Sequence, residues 1–413
     1  MVVYDLIVAG AGPAGFFCAI NAAMRGFKTV ILEKNPVPGK KMIISGSGQC
    51  NFTNNSHIGE FLSRYGSNGK FLKCALLNFT NIDLIDFFIK KGVDVTVTQE
   101  GKVFPKSMNS HDLLNALVNE CSRLNVNIEC NCEIRGIEKN AGGFFRVSSS
   151  RADYLAANVA ITTGGKSYAS CGVSGDGYLF ARSLGHTIVT PSQGLAPLII
   201  KNFRFSGLAG LSLNSIQISL WRNSRKIKTY CGDVLFTHKG LSGPGILDLS
   251  RYINNADIVK LSFAGCENED KFRIEFLELI RNNGKLKVKS VLKKYFIPKR
   301  LIDKLMQLTD IGDTLVSQLT RENRNRLLDA LVSYPFEVLC KGEGMVTCGG
   351  VSLDEINPRT MESKIVKNLF FAGEVLDIDG DTGGYNIQAA VSTGVLAGKS
   401  VRKGAENAAR KDK

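Results

Sequence analysis

The chain opens on a short apolar run, Tyr4 to Ala9, followed by a glycine-rich turn. Apolar positions then recur at helical spacing from Ala14 to Met24, and a second apolar run covers Thr29 to Glu33. Short apolar runs bounded by turn residues predict buried strands, and strand, helix, strand in this order predicts the start of a parallel βαβ unit. Pro36 to Asn55 is rich in Gly, Ser, Lys and Asn without an apolar period, which predicts a long functional loop rather than an element. Helical spacing returns over Leu76–Lys91 and His111–Leu124, while Val93–Thr98, Val126–Cys132, Phe144–Ser148 and Asn158–Thr162 read as strands. After Pro191 short alternating runs, Ser215–Trp221 and Val259–Phe263 among them, predict a β-rich module. Lys271–Leu331 is again helical in period, and Met345–Gly398 returns to strand, glycine turn and helix. The pattern predicts a discontinuous α/β domain interrupted by an insertion from about residue 192 to 340.

Composition narrows the class. A length of 413 residues suggests two or three domains, and 44% hydrophobic with 22% charged residues is the balance of a globular protein. The apolar stretch Leu6–Ala23 is broken by Gly10, Gly12, Pro13 and Gly15 and has no basic leader, so neither a membrane span nor a signal peptide is expected. Eleven cysteines, an odd number without a CxxC pair, predict reduced thiols in a cytoplasmic protein. Four histidines without ligand spacing predict no metal site.

The net charge of +14 favours a polyanionic partner. It is concentrated between Arg281 and Lys304, where Asp303 is the single acid and Lys285, Lys287, Lys289, Lys293, Lys294, Lys299 and Arg300 form the centre of the basic run. A merely solvated face is the alternative reading of that run.

The candidate chemistry begins at GAGPAG. Gly10 permits a tight turn, Gly12 lets backbone amides approach a pyrophosphate, and Pro13 and Ala14 open a helix whose N-terminus favours negative charge. Gly15 allows close helix–strand packing. Glu33 stands 18 positions beyond Gly15, at the end of the next strand, where its carboxylate can accept hydrogen bonds from a ribose diol. At the other end of the chain, Asn368–Glu374 runs into a glycine turn, and Asp381–Asn386 precedes an Ala-rich helix that starts at Ile387. If both turns serve one ligand they meet in space, with Gly373 at the pyrophosphate–ribitol chain and Gly383 and Gly384 at the ring edge. Together they predict an FAD site in which the helix after Tyr385 points its positive end at the flavin N1–O2 region. No second GxGxxG is present for a nicotinamide.

With these segments stand SGSGQCNFTN (Ser45 to Asn54), TTGGKSY (Thr162 to Tyr168), SGDGY (Ser174 to Tyr178), LFTHKGLSGPGIL (Leu235 to Leu247) and GGVSLDEINPRTMES (Gly349 to Ser363). In these motifs, over nearly its whole length, the chain resembles the BaiN/RdsA (YhiN-like) FAD-dependent oxidoreductases. The resemblance implies a Rossmann-like FAD-binding domain of the two-dinucleotide-binding type, over residues 1–191 and 341–413. It also implies an inserted β-barrel-like module, 192–270, and a basic helical module, 271–340. It extends the expected cofactor contacts to Lys34, Lys41, Ser45, Gly46, Gly48, Asn51, Thr163, Gly164, Gly165, Glu374, Tyr385, Asn386 and Ile387. The family's usual Arg is Gln49 here, a departure that Lys40 and Lys41 could offset in charge.

For relatives studied as ribosomal enzymes the resemblance implies reduction of a uridine in large-subunit ribosomal RNA to 5,6-dihydrouridine, with NADH or NADPH as transient reductant. The expected partner is then ribosomal RNA or a ribosome-assembly intermediate, held by the basic helical residues. Reduction of uracil needs hydride at C6 and a proton at C5, so an acid must face the base. Cys50 is the candidate, with Tyr385 and His238 behind it. Cys50 reads equally well as a small residue packing a glycine loop, Tyr385 as a ring that packs on the flavin, and His238 as a hydrogen-bonded turn residue. A reductase of steroid-like enones and an RNA-binding assembly protein with structural FAD are the two rival readings.

Overall fold

The computed structural model describes residues 3–264, 269–295 and 297–403; the tail 404–413 of the expected flavin domain lies outside the described residues. The chain forms two compact units, one comprising residues up to 192 together with those from 345 onward, the other residues 193–344.

In the first unit β1 (Val3–Ala9), α1 (Pro13–Ala23) and β2 (Thr29–Leu32) form the expected βαβ start. Strand Asp153–Ile161 pairs in parallel with β1 on its other side, Asn127–Glu129 with β2, and Leu369–Phe371 with Asp153–Ile161. Phe145–Ser149 and Ile134–Lys139 extend the sheet antiparallel. The sheet interior is apolar on both faces, as a covered parallel sheet requires, with every residue of β2 buried. Register decides the location of the site: Ala9 lies opposite both Leu32 and Ile161, and Ile161 opposite Phe371. The loops that leave these strands therefore emerge side by side at the carboxyl edge of the sheet.

The C-terminal helix Tyr385–Ser400 packs on α1. A Cβ on Gly394 would lie 2.3 Å from the Ala14 carbonyl oxygen, and one on Gly398 would lie 2.3 Å from that of Cys18. Helices this close need glycine at the contact. Arg25, just past α1, donates to the carbonyls of Gly398, Lys399 and Val401 at 3.1, 2.7 and 2.9 Å, satisfying acceptors that a helix end leaves open.

Two expectations change in this unit. The helical run Leu76–Lys91 is two helices, Gly69–Asn78 and Asn81–Lys90, because Thr80 and Asp83 form a capping box that starts the second. The segment Pro36–Asn55 is not loop throughout. It contains a short helix, Lys40–Ile44, and a short strand, Thr53–Asn54, paired with Lys102–Pro105. Between them the backbone is left-handed at Gly46, Ser47, Gly48 and Cys50.

The chain leaves this unit along Ile188–Gly194 and returns along Val346–Val351, paired as a two-stranded sheet. The second unit is a closed six-stranded barrel of Leu198–Ile200, Gly240–Ser242, Arg225–Phe236, Ser212–Arg222, Ile258–Ser262 and Tyr334–Lys341. Helices Glu269–Asn282, Val288–Leu292, Lys299–Leu308 and Arg321–Val332 precede the last strand. Phe276, Leu292, Leu301 and Leu331 from the helices share one core with Phe236, Leu261 and Val338 from the barrel. Barrel and helices, expected as modules 192–270 and 271–340, are thus built around common apolar packing. The strand that closes the barrel lies beyond the helices, where sequence pattern placed a helical module.

Among the described cysteines Cys231 is disulfide-bonded, which departs from the expectation of reduced thiols throughout. No described helix is long and apolar enough to cross a membrane.

Candidate cofactor and active site

At the carboxyl edge of the sheet the glycine turn after β1 is fixed from three sides. Gly10 donates to the Leu32 carbonyl at 2.8 Å, and Thr162 donates its N–H to the Ala9 carbonyl at 2.9 Å and its hydroxyl to the Gly10 carbonyl at 2.9 Å. Ala11 donates its N–H to Glu33 Oε2 at 2.8 Å. The other oxygen of Glu33 accepts from the Asn35 N–H at 2.9 Å and its amide at 2.7 Å. Glu33 is 8% exposed. Its lone pairs are only partly used, so the carboxylate can still accept from a ligand.

The glycines of this edge divide by what they touch. A Cβ at Gly10 would meet the Thr162 carbonyl at 2.9 Å, and φ there is +103°. At Gly15 it would meet the Gly10 carbonyl at 2.0 Å, at Gly165 the Thr347 hydroxyl at 2.3 Å, at Gly373 the Ala14 methyl at 2.9 Å, and at Gly384 the Thr53 backbone at 2.5 Å. These five are demanded by the protein's own packing. Gly12 is different: its φ of −85° suits any residue, and a Cβ there would meet nothing within 4 Å. No contact among the described residues requires glycine at that position. It lies at the N-terminus of α1, which has neither a capping side chain nor an acid in its first turn. An open helix N-terminus beside a bare backbone fits a pyrophosphate.

A cleft of about 960 Å³, solvent mouth included, runs along this edge. Of the expected cofactor contacts, Gly10, Gly12, Pro13, Ala14, Glu33, Lys34, Lys41, Thr163, Gly164, Gly373 and Glu374 line it. Asn386 lines a smaller recess of about 230 Å³ that shares Gly373, Glu374 and Ala390 with the cleft. Gly15 and Gly165 support the edge from behind. Tyr385 is nearly buried, its ring edge-on to Phe61 at 4.9 Å, and Ile387 packs against the main core. Asn386 holds the turn before the last helix by bonds to the Gly380 N–H and carbonyl, both 2.8 Å.

The residues of SGSGQCN do not line the cleft. Ser45 donates to the Met42 carbonyl at 2.7 Å, Cys50 N–H to the Ser45 carbonyl at 3.0 Å, and Asn51, with its amide nitrogen turned inward, to the Thr53 and Val103 carbonyls. Gly46 and Gly48 supply left-handed turns, and Gln49 is exposed.

The lysines nearby are already engaged. Lys41 pairs with Glu374 at 2.6 Å and donates to Ser167 at 2.9 Å, while Lys40 donates to the Ser170 carbonyl at 2.8 Å. Lys34 is ion-paired with Asp176. Sequence reasoning missed Asn35, Met42, Ile134 and the segment Cys171–Asp176 as cleft residues. The SGDGY motif was the available signal for the last of these.

The three candidate acids stand in different surroundings. Cys50 is 0% exposed in the apolar core, and burial pushes its thiol up to about 11 against a lowering hydrogen bond from Ser45. Tyr385 starts the last helix. His238 belongs to the other unit, exposed in the turn Thr237–Gly240, where the Gly240 N–H donates to the Thr237 hydroxyl at 3.0 Å. In that unit Lys285, Lys287, Lys293, Lys294, Lys299 and Arg300 are exposed. Lys287 is paired with Asp313, Lys289 with Asp303 at 2.7 Å, and Arg300 donates to the Gly207 carbonyl at 2.7 Å.

The family model described as the HI0933-like protein Rossmann domain matches residues 4–400. A protein of Escherichia coli (strain K12) named ribosomal RNA dihydrouridine synthase is 32% identical, with 94% of this chain and 96% of its own length covered. One of Clostridium scindens named 3-dehydro-bile acid delta(4,6)-reductase is 28% identical, covering 95% and 98%. Among solved structures, the Mycobacterium smegmatis Sdh1 complex in the apo form aligns with 99% of this chain and 71% of its own, at 14% identity and a TM-score of 0.52, a likeness of fold.

Proposed function

Because the chain belongs to the HI0933-like Rossmann-domain family and is an oxidoreductase, we propose that it holds FAD at the carboxyl edge of the sheet and reduces a uridine of large-subunit ribosomal RNA to 5,6-dihydrouridine. NADH or NADPH is the proposed electron source. The observation that carries the cofactor assignment is Gly12, the one glycine of the turn that no described protein contact requires.

In this reading the N–H groups at the start of α1 hold the pyrophosphate and Glu33 accepts from the ribose. Gly373, packed on Ala14, brings its backbone to the cleft, and Asn386 keeps the turn beside it in place. Bound FAD supplies hydride transfer to an electron-poor C=C bond. The basic helical residues hold phosphates while a single base, out of its stack, reaches the site. Lys285, Lys293, Lys294 and Lys299, exposed and outside any ion pair with a described acid, are the strongest members of that platform. The support for RNA is that charge together with the E. coli relative, matched over nearly its full length.

The test is the dihydrouridine content of ribosomal RNA in cells with and without the gene, followed by addition of the purified yellow protein and NADH to unmodified RNA. Loss on deletion and restoration by the protein supports the proposal; unchanged dihydrouridine overturns it. The C. scindens relative favours a second reading, reduction of a small enone. Turnover on RNA should fall steeply with added salt through counterion release, whereas turnover on a neutral enone should barely respond.

A further inference from the structure

The barrel carries a second arrangement of aromatic and basic side chains, outside the basic helices. Trp221 is the only tryptophan of the chain and lies near the end of strand Ser212–Arg222. Its neighbours along the strand, Leu220 and Ile218, are fully buried in the barrel core, so alternation places Trp221 and Ser219 on the outer face. There Trp221 is partly exposed, and its indole N–H donates to the Ser219 hydroxyl at 2.9 Å, which fixes the ring. A lysine reaches it from the strand on each side: Lys260 Nζ is 4.1 Å and Lys226 Nζ 5.4 Å from the ring. Nearby, Lys228 Nζ is 4.1 Å from the ring of Tyr252.

The support beneath this face is rigid. Arg222 makes two 2.8 Å bonds to the buried Asp257 and a third, at 2.9 Å, to the Tyr252 carbonyl. That pairing neutralises the acid beside the turn end of the hairpin. Arg225, Lys226, Lys228 and Lys260 are ion-paired with no described acid. A large aromatic ring held at a barrel surface between uncompensated ammonium groups has the two elements of a single-strand site: a stacking surface and cations for the flanking phosphates.

We propose that Trp221, with Lys226 and Lys260, forms a stacking platform on the outer face of the barrel for an unpaired base of single-stranded RNA. The inference rests on the RNA reading above and adds to it a contact surface distinct from the basic helices. A base takes the face of the indole, and Lys226 and Lys260, which lie over the ring in its absence, swing from that face to the phosphates on either side.

Trp221 is its own reporter. The full-length holoprotein is titrated with oligouridylate, following tryptophan fluorescence, while binding is measured independently by anisotropy of the labelled RNA. Quenching that saturates together with the anisotropy is expected, with affinity about tenfold weaker in Trp221→Ala. Lys260→Glu leaves the ring in place, so it separates recognition from loss of fold. It should weaken binding and reduce the slope of log affinity against log salt by about 0.7 for a lost phosphate contact. RNA binding with unchanged fluorescence and full affinity in both variants overturns the platform and leaves the RNA reading standing. Absence of RNA binding by the unaltered protein overturns both.

Discussion

Ala11 donates its backbone N–H to Glu33 Oε2 across 2.8 Å, so the acid that ends β2 also holds the turn that ends β1. In the proposed reading, cofactor binding and local stability are therefore linked through one carboxylate. Glu33→Ala leaves the Ala11 N–H without its acceptor, and the flavin-free protein should lose about 1–3 kcal/mol of stability. The same variant should be isolated with little flavin. Glu33→Gln, which keeps an acceptor for Ala11, should recover most of the stability but less of the flavin. Denaturant midpoints and the visible flavin spectrum separate the two effects.

Gly12 and Gly15 should respond in opposite ways. A Cβ at Gly12 enters open space, so Gly12→Ala should leave the flavin-free protein as stable as before, or raise it by about 0.4–1 kcal/mol through the unfolded chain. FAD affinity should drop about tenfold or more, the loss expected for a displaced charge-assisted hydrogen bond. Gly15→Ala drives a methyl to 2.0 Å from the Gly10 carbonyl and should cost about 2–3 kcal/mol whether or not flavin is present. Thermal unfolding of both variants, with and without added FAD, checks this. Equal destabilisation would remove the argument that Gly12 serves a ligand.

Acid should weaken the first unit through His186. Its ring is buried between Glu355 at 3.1 Å and Ser363 at 2.9 Å. Burial holds the imidazole below its ordinary 6.5, with Glu355 pulling the other way. A histidine depressed in the fold contributes stability above pH 6.5 that is lost as pH falls below it, at no more than about 1.4 kcal/mol per pH unit. Burial opposes ionisation of Glu355, but Thr187 and His186 outweigh it and hold the carboxyl below 4.5, so its contribution is lost only at lower pH still. Melting curves from pH 8 to 5 should show a decline that His186→Asn largely abolishes.

Cys50 tests the proton donor. Its thiol sits in the core at a left-handed residue and is not among the residues that line the cleft. Cys50→Ala should keep its flavin and its turnover, and lose about 1–2 kcal/mol of stability from the space left behind. A loss of turnover near a hundredfold with flavin retained would restore the thiol as the acid.

The strand, turn and helix order at the carboxyl edge was readable from local pattern. A strand, a glycine turn and a helix are decided by neighbours in sequence, and so is an acid at the next strand end. Residues such as Gly10, Gly12 and Glu33 therefore announce themselves without knowledge of the rest of the chain. The break at Thr80 was also local, but two amphipathic helices in tandem keep one apolar period, and the capping box is a weaker signal than that period. The Lys41–Glu374 pair was not readable at all, since 333 positions separate residues that the sheet brings together.

By itself, then, the sequence determined the βαβ start, the discontinuous α/β domain, a β-rich insertion and the glycine turns at both ends of the chain, because these follow from short-range periodicity and backbone freedom. Tertiary structure alone decided which glycines serve packing and which leaves room for a ligand, that the lysines beside the cleft are already paired, that Cys50 is core, and that the barrel closes with a strand placed after the helices. Each of these depends on which distant segments share a surface, and that is set by register and core packing across hundreds of residues rather than by any local run.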